Sequence, residues 1–411
     1  MIPVAEASAR ILDGIQRLPQ VSVATGESVG RVLAERVVAS TTSPPWDNSS
    51  MDGYAIRSAD LGSMTFRVVE TIAAGSFPSR ALEPGEAMRI MTGAPVPQNA
   101  DTVIRKEDSD EGRDVVTIRE KRDSGKNIRK TGEDFREGDV LFDVGQQVGI
   151  AHAGVLASAG VKNVSVFRSP RVAIVSSGDE LVELKDYAPE MAGRKIISSN
   201  SVTLAALVRE AGGEAVNIGI AHDDIDSMKE KLEEAVACDL IITSAGISVG
   251  DHDHVRDAIT ALGGAIDFWK VRMRPGAPLA FGSLRGVPWI GLSGNSVSAI
   301  VTFEVFVRPA IRKMRGLTRV FRKTVPVTLG EALTLAAPLM HFLRVVITQS
   351  ENDFYVAHIA GSQSSAVLTA MARANALLVV PGDRLKLESG ECLRAIPLGD
   401  EHQSATTLVL L

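Results

Sequence analysis

Four short loops rich in Gly, Ser and Asp have the composition of an anion-binding pocket. They are Ser176–Glu180, Ser198–Ser201, Ser244–Asp253 and Ser293–Ser296. Each lies near an apolar run typical of a strand and a longer run typical of a helix. Backbone N–H groups at a helix start favour an anion, and ligands of open α/β sheets bind where the strands end. The four loops together predict one pocket for a phosphorylated or otherwise anionic ligand, with carboxylates inside it.

The first loop brings two adjacent carboxylates, Asp179 and Glu180, to the end of an apolar run at 172–175. Such a pair could hold Mg²⁺, which takes oxygen ligands and often substrate phosphates as well. The alternative for Asp179 is a helix N-cap, because an acidic residue offsets the helix dipole there. A cap does not account for Glu180, so Glu180 is the stronger candidate for a magnesium ligand.

The third loop ends in Asp251, His252, Asp253 and His254, and this invites a transition-metal interpretation. Adjacent residues at a helix start do not all point the same way. A single carboxylate facing an anion-bound Mg²⁺ is the simpler hypothesis, and Asp253 is our choice. The fourth loop, Ser293–Ser296, fits a helix cap and a phosphate cradle equally well.

Lys270, Arg272 and Arg274 alternate along the chain, so in a strand they would share one face. Like charges on one face repel unless an anion or carboxylates neutralise them. The alternative is a solvated edge strand. The Pro-Gly-Ala-Pro turn at 275–278 would hold the strand end near the pocket.

Two earlier loops carry further candidates. Trp46–Ala55 offers two carboxylates, an amide and hydroxyls, although local side-chain bonds within a turn explain such residues as well. Met91–Pro97 is a stiff loop in which Thr92 could present its hydroxyl at a fixed angle, with a purely structural turn as the alternative.

The elements that must position these residues follow from periodicity. Residues 1–40 predict two helices, Val4–Leu18 and a second beginning at Glu27. Short strands at 46–145 predict a small β domain. Strands and helices alternate over 170–315, which predicts a mostly parallel sheet with helices on both faces. Short strands return over 320–400 and predict a second small β domain of barrel form. The expected domains are 1–40 with 133–168 (helical linker), 41–132 (β), 169–318 (α/β) and 319–411 (β-barrel-like).

Composition excludes several classes of protein. The chain has 411 residues and a formal net charge of −6 with interleaved signs, which argues against nucleic-acid binding. Its two cysteines, Cys238 and Cys392, do not have the spacing of a metal site. No signal-peptide pattern or membrane-spanning apolar run is found. We therefore expect a soluble cytoplasmic protein with no membrane association.

Taken together, the motifs resemble those of the molybdopterin molybdenumtransferase family, the MoeA proteins and the gephyrin E domain. The similarity covers nearly the whole chain in the family's order. The matching stretches are Asp47–Ala55, Met91–Pro97, Ser177–Leu181, Ser248–Asp253 and Phe268–Lys270, with Arg129, Gly132, Asp134 and Gly138-Asp139 between them.

The resemblance implies four domains in an elongated homodimer, with the three-layer α/β (MogA-like) domain binding the pterin. The implied reaction inserts molybdate into adenylylated molybdopterin, with Mg²⁺-dependent cleavage of the phosphoanhydride and release of AMP. The implied catalytic residues are Asp52, Thr92, Glu180, Asp253 and Lys270. Of these, Asp52, Glu180 and Asp253 would bind the metal. Asp223 or Asp224 is also implicated, and the sequence leaves both open.

The resemblance also implies a set of substrate-binding residues. They are Ser177, Gly178, Ser248, Gly250, Arg274, Gly294, Asn295 and Arg344. Molybdopterin adenylyltransferase and molybdoenzyme chaperones are the protein partners that it suggests.

The chain departs from the family pattern at three places. The usual Lys-Pro-Gly-Lys-Pro becomes Arg274-Pro-Gly-Ala277-Pro, the usual Pro-Gly-Asn-Pro becomes Ser293-Gly-Asn-Ser296, and Ala370 replaces a serine. Arg and Lys bind oxyanions with different geometry. Two alternatives follow: a catalytically weak paralogue that binds or delivers molybdopterin or the molybdenum cofactor, or a variant for another oxyanion such as tungstate.

Overall fold

The computed structural model describes residues 1–244, 254–349 and 354–399. The chain forms two compact units, Met1–Val21 with Phe167–Leu411, and Ser22–Val166. The helices are α1 Val4–Asp13, α2 Ile150–Ser158, α3 Ser199–Glu210, α4 Ile225–Ala235, α5 His254–Ala261, α6 Ser296–Thr302, α7 Arg308–Met314 and α8 Leu368–Arg373. In these described ranges, no helix is both long and apolar enough to cross a lipid bilayer.

The unit Ser22–Val166 is built mainly from strands, as predicted for residues 46–145. The first strands of the chain are β1 Gln20–Ala24, β2 Val37–Val38, β3 Asn48–Ser49, β4 Gly53–Ile56, β5 Thr65–Ile72, β6 Glu86–Ile90, β7 Thr102–Arg105, β8 Val115–Thr117, β9 Ile128–Arg129, β10 Val140–Phe142 and β11 Asn163–Phe167. One sheet has the order β7-β4-β6-β5-β8. Both faces of β4 are buried, because Tyr54 and Ile56 join one core cluster and Ala55 joins another. The sheet therefore fixes the backbone next to Asp52.

The helix predicted to begin at Glu27 is wrong. Only a single 3₁₀ turn, Thr25–Glu27, forms there. Gly30 adopts a positive φ of 82°, which a right-handed helix does not accept. Val32 and Leu33 instead form β-bridges with Gln147 and Val166, and Val32 is a β-branched residue with a strand preference. Tertiary pairing therefore overrides the helical spacing.

The α/β part of the other unit has a mostly parallel sheet, as the sequence predicts. The strands of this region are β12 Arg171–Ser177, β13 Leu181–Val182, β14 Ile196–Ile197, β15 Glu214–Ala221, β16 Leu240–Ser244, β17 Ala265–Lys270, β18 Met273–Arg274, β19 Pro278–Leu284 and β20 Val287–Leu292. The sheet order is β15-β12-β16-β20-β19-β17. The neighbouring strands β15, β12, β16 and β20 pair in parallel, and β19 pairs antiparallel with β20 and β17.

Helices cover both faces of this sheet. Side chains of α1, α3, α6 and α7 pack in one core cluster, and those of α4 and α5 pack in another. The last helical segment of this region, α6 and α7, is interrupted by a π-helical turn, Phe303–Val307. Pro309 lacks an N–H and its ring clashes with the carbonyl four residues earlier, so the α-helical hydrogen bonding cannot continue unchanged there.

The C-terminal strands form a closed barrel. The strands of this region are β21 Val325–Leu329, β22 Leu333–Thr334, β23 Met340–Gln349, β24 Tyr355–Ile359, β25 Ala376–Val380, β26 Lys386–Leu387 and β27 Cys392–Pro397, of which β22 and β26 pair in a separate two-stranded sheet outside the barrel. The order β23-β24-β21-β27-β25 is closed by a further pairing of β23 with β25. The barrel predicted from the short strands is confirmed, with an apolar interior that includes Val345, Leu378 and Ala395.

Candidate functional site

A cavity of about 510 Å³ lies at the carboxyl ends of β12, β16 and β20, and we call it the serine cavity. Its lining includes Ser176, Ser177, Glu180, Ser198, Ser199, Asn200, Ser244, Ser293, Gly294, Asn295 and Ser296. Parallel strands end at the same edge of a sheet, and this brings the separate loops together. Ser248, Gly250 and Asp253, together with Asp251 and His252, lie outside the described residues.

Hydrogen bonds between the loops fix the shape of the serine cavity. Asn200 Nδ2 donates to Ser244 Oγ at 2.7 Å and to the Gly294 carbonyl at 2.8 Å. Ser199 and Ser296 hydroxyls lie 3.0 Å apart. The buried Asn200 Oδ1 accepts no hydrogen bond within the described part of the chain, so it has capacity for a ligand donor.

Asn200 was not among the predicted site residues. It lies two residues after Ser198, the N-cap of α3, whose hydroxyl accepts a hydrogen bond from the Ser201 N–H. A polar residue on the buried side of a helix start was the available signal, but the sequence alone does not show which side is buried.

Glu180 is the one carboxylate among the described residues that line the serine cavity. Gly178 adopts φ +147°, and a Cβ built on it would lie 2.6 Å from Glu180 Oε2. The Glu180 side chain therefore folds back over the glycine. Gly178 contributes room and backbone conformation for this carboxylate and is not itself a lining residue.

Asp179 does not cap a helix, so that alternative is wrong. Residues 178–180 form a turn that leads into β13, and Asp179 Oδ1 lies 2.9 Å from His222 Nδ1. His222 is the main cause of a lowered pKa of Asp179, with the Asp223 N–H adding to it. Asp179 is therefore held as an anion beside the cavity.

The structure separates Asp223 from Asp224. Asp224 is the N-cap of α4 and accepts a hydrogen bond from Ser227 N–H at 2.7 Å. Asp223 accepts from Ser177 Oγ at 3.3 Å and from Asp179 N–H at 3.2 Å. Asp223 is thus attached to the loop that carries Glu180, whereas Asp224 stabilises a helix end.

The three alternating cations do not share one strand, which corrects that prediction. Lys270 ends β17, while Arg274 belongs to β18, which pairs with β23 of the barrel. Arg272 lies between the two strands, where its N–H donates to the Ile2 carbonyl. The chain turns at Arg272, where the Met273 N–H donates to the Val271 carbonyl at 2.9 Å. Half-buried Lys270 lines neither the serine cavity nor the neighbouring cavity described next.

A second cavity of about 830 Å³, the arginine cavity, lies between the α/β part and the barrel. It is lined by Arg274–Pro278 and by barrel residues that include His341, Arg344 and Gln363. Pro278, Ser293 and Asn295 line both cavities, so the two are contiguous.

Arg344 is the buried cation of the arginine cavity, only 1% exposed. One of its guanidinium nitrogens donates to the carbonyls of Ser362 and Ser364 at 2.9 and 3.1 Å, and Nε has no partner among the described residues. Burial lowers its pKa. No described carboxylate forms an ion pair with it, and a buried charge without a counter-ion is costly. Arg344 therefore favours an anion in this cavity.

The unit Ser22–Val166 carries the pair Asp52 and Thr92. Thr92 donates to Asp52 Oδ1 twice, from its N–H at 2.8 Å and from its hydroxyl at 2.9 Å. These two bonds lower the pKa of Asp52. The other carboxylate oxygen accepts no hydrogen bond within the described ranges and stays available. Asp52 is thus an oriented anion on the rigid end of β4.

Removing the Thr92 hydroxyl should raise the pKa of Asp52 towards its ordinary value, because one hydrogen bond to the charged form is lost. We expect this in Thr92→Val, with only the backbone bond left, and not in Thr92→Ser, which keeps a hydroxyl. Carbon-13 NMR titration of the Asp52 carboxyl measures both. An unchanged pKa in the valine variant would contradict the assignment.

Within the described residues, no group of three or more His, Cys, Asp or Glu side chains is arranged to hold a metal ion. The donor chemistry of the serine cavity, one carboxylate with several hydroxyls, nevertheless suits Mg²⁺, which is often bound by one or two carboxylates plus substrate phosphates.

Comparisons with known proteins cover almost the entire chain. Residues 2–160 match the "MoeA N-terminal region (domain I and II)", 173–313 the "Probable molybdopterin binding domain", and 326–398 the "MoeA C-terminal region (domain IV)". The molybdopterin molybdenumtransferase of Staphylococcus aureus (strain COL) is 35% identical over 402 residues, 96% of this chain and 95% of that protein. The enzyme of the same name from Staphylococcus epidermidis (strain ATCC 35984) is 32% identical over 402 residues, again 96% of this chain and 95% of that protein.

Solved structures agree with these relatives. The molybdopterin biosynthesis MoeA protein from Pyrococcus horikoshii OT3 superimposes with a TM-score of 0.79 at 28% identity, over 96% of this chain and 99% of that chain. A molybdenum cofactor biosynthesis protein from Pyrococcus furiosus has a TM-score of 0.58 at 19% identity, over 96% of this chain and 98% of that chain, and shares the fold.

Proposed function

Because the chain belongs to the molybdopterin molybdenumtransferase family, we propose that it inserts molybdate into adenylylated molybdopterin and releases AMP. The chain is a transferase of molybdenum cofactor biosynthesis, with molybdopterin and molybdenum as its substrates. The observation that carries the finer proposal is the contiguity of the serine cavity, with its single described carboxylate, and the arginine cavity, with its unpaired buried cation.

The two cavities match the two kinds of group on the substrates. Hydroxyls and amide groups around Ser177, Gly294 and Asn295 suit a pterin with phosphates, and Asn200 Oδ1 offers an acceptor for an N–H. Arg274 and Arg344 supply positive charge for molybdate or the phosphoanhydride. Lys270 is proposed as a further cation for the oxyanion. Ser248 and Gly250 are proposed as substrate contacts by resemblance.

Glu180 and Asp253 would hold Mg²⁺, and the family resemblance alone adds Asp52 as a proposed ligand. The ion would neutralise charge that develops on the anhydride oxygens as AMP leaves. Asp223, attached to the Glu180 loop, is the better candidate for the additional aspartate, because Asp224 is committed to capping α4. The protein's own contribution is positioning and electrostatic stabilisation.

The direct test is AMP release from adenylylated molybdopterin by the purified chain, with Mg²⁺ and a range of molybdate concentrations. We expect release that depends on both ions and incorporation of molybdenum into the pterin. No release at any molybdate concentration would refute the insertion reaction.

A second candidate is a weakly catalytic paralogue that binds or delivers the pterin. It is favoured by the position of Ala277 and Ser293, which both line the arginine cavity and are both departures from the family pattern. It predicts tight pterin binding with little turnover, and restored turnover in Ala277→Lys with Ser293→Pro and Ser296→Pro. Full turnover by the natural chain would exclude it, and competition between molybdate and tungstate would test the other-oxyanion variant.

We further propose, from the family resemblance, a homodimer of the 43.7 kDa chain and the four-domain division given above. Light scattering on the purified protein checks the first. Molybdopterin adenylyltransferase as a partner is a proposal of the same origin.

A further inference from the structure

A third cavity, about 470 Å³ in volume, lies where α7 meets the start of the barrel, and we call it the basic cavity. It shares no lining residue with the serine or arginine cavity. Its charged lining consists of Arg308, Arg312, Arg322 and Lys323. Nothing in the proposed insertion reaction uses these residues.

Two of the four cations are fully compensated. Arg308 and Arg322 both contact Glu304 Oε2, at 2.7 and 2.8 Å, and both contact Glu210, at 2.9 and 2.7 Å. The Glu304 side chain is 2% exposed. Two carboxylates and two guanidinium groups thus form a closed, electrically neutral network. Glu304 lies in the π-helical turn, four residues before Arg308, and side chains at this spacing are neighbours on a helix surface.

The other two cations have no such compensation. Arg312 uses one nitrogen for the Arg319 carbonyl at 3.1 Å, and its buried Nε has no partner among the described residues. Lys323 forms no ion pair in the described part of the chain. Burial lowers the pKa of Arg312, and the nearby Arg308 and Arg322 lower it further. Counted over its described lining residues, the cavity therefore holds an excess of two positive charges.

We propose that the basic cavity binds the phosphate group of a small organic phosphate. A phosphate monoester carries a charge of roughly −1.5 to −2 at neutral pH, which matches the excess of Arg312 and Lys323. The N–H groups of an arginine donate strong charge-assisted hydrogen bonds to phosphate oxygens. The lining also includes Phe321, 56% exposed, and Pro397, so the organic part of the ligand has an apolar surface to cover. The volume is within the usual range of small-molecule sites.

Isothermal titration of the full chain with phenyl phosphate and with inorganic phosphate tests this site. We expect both to bind, and phenyl phosphate to bind more tightly. Arg312→Gln and Lys323→Gln should each weaken phenyl phosphate binding at least about tenfold, the scale of one charge-assisted bond. Phe321→Ala should remove the difference between the two probes. Lys386→Gln, at an exposed position on β26 of the same C-terminal region, is the matched control and should bind like the natural chain.

Other results would overturn the proposal. They are no binding by the natural chain, unchanged binding in both Arg312→Gln and Lys323→Gln, or equal weakening in Lys386→Gln. Folding does not confound the comparison, because Lys323 is exposed and Arg312→Gln removes a half-buried charge that has no ion-pair partner among the described residues, which should leave the melting temperature equal or higher. The site does not rest on the insertion reaction, so AMP release should be unchanged in both variants.

Discussion

Glu180→Gln should lower AMP release from adenylylated molybdopterin at least about a hundredfold, the scale on which loss of one charge-stabilising group acts in a preorganised site. The substitution keeps the size of the side chain and removes only its charge. Glu180 is the one carboxylate among the described residues that line the serine cavity, so no other described lining residue supplies a negative charge in its place. Single-turnover AMP release at saturating Mg²⁺ measures the effect.

Glu190→Gln is the control for this experiment. Glu190 lies in an exposed 3₁₀ turn of the same unit and does not line the serine cavity. We expect it to release AMP at the natural rate, and both variants to have the natural melting temperature. If Glu180→Gln released AMP as fast as Glu190→Gln did, Glu180 would have no role in holding the metal.

Gly53→Ala should destabilise the unit Ser22–Val166 by at least about 3 kcal/mol, in the upper range for overpacking. A Cβ on Gly53 would lie 1.9 Å from the Ile104 carbonyl oxygen, which belongs to the backbone of β7. Strands β4 and β7 are paired at this point, so neither can move without breaking the ladder. Native-state hydrogen exchange of the β4 and β7 amides measures the free energy of opening.

Gly62→Ala is the matched control in the same unit. A Cβ there meets no atom within 4 Å, and the backbone needs no positive φ. We expect its exchange to stay within about 0.5 kcal/mol of the natural chain, as is usual for exposed positions. Equal protection of β4 in the two alanine variants would show that the close approach of the strands is not needed. Because Gly53 follows Asp52, we also expect Gly53→Ala to disturb the bonds between Asp52 and Thr92.

Where the local pattern alone decides the structure, the sequence predicts it well. Thr65–Ile72 and Val140–Phe142 are strands within the range 46–145 where short strands are predicted, and the alternation over 170–315 gives the mostly parallel sheet. Segments of this kind are specified by residues close in the chain. The prediction of a helix from Glu27 is wrong because the positive φ of Gly30 and β-bridges to distant residues outweigh the helical spacing of the apolar residues.

The site shows the same division. The amino-acid sequence by itself determined that Gly, Ser and Asp loops follow the strands of a parallel sheet, and this is enough to predict a polar cavity at their ends. Only the tertiary structure decided that Asp224 caps a helix while Asp223 contacts Ser177, and that Asn200 lines the cavity with an oxygen that accepts no hydrogen bond from the described residues. Caps and ligands use the same residue types. Which N–H or hydroxyl an oxygen meets is set by segments distant in the chain, and folding alone brings these together.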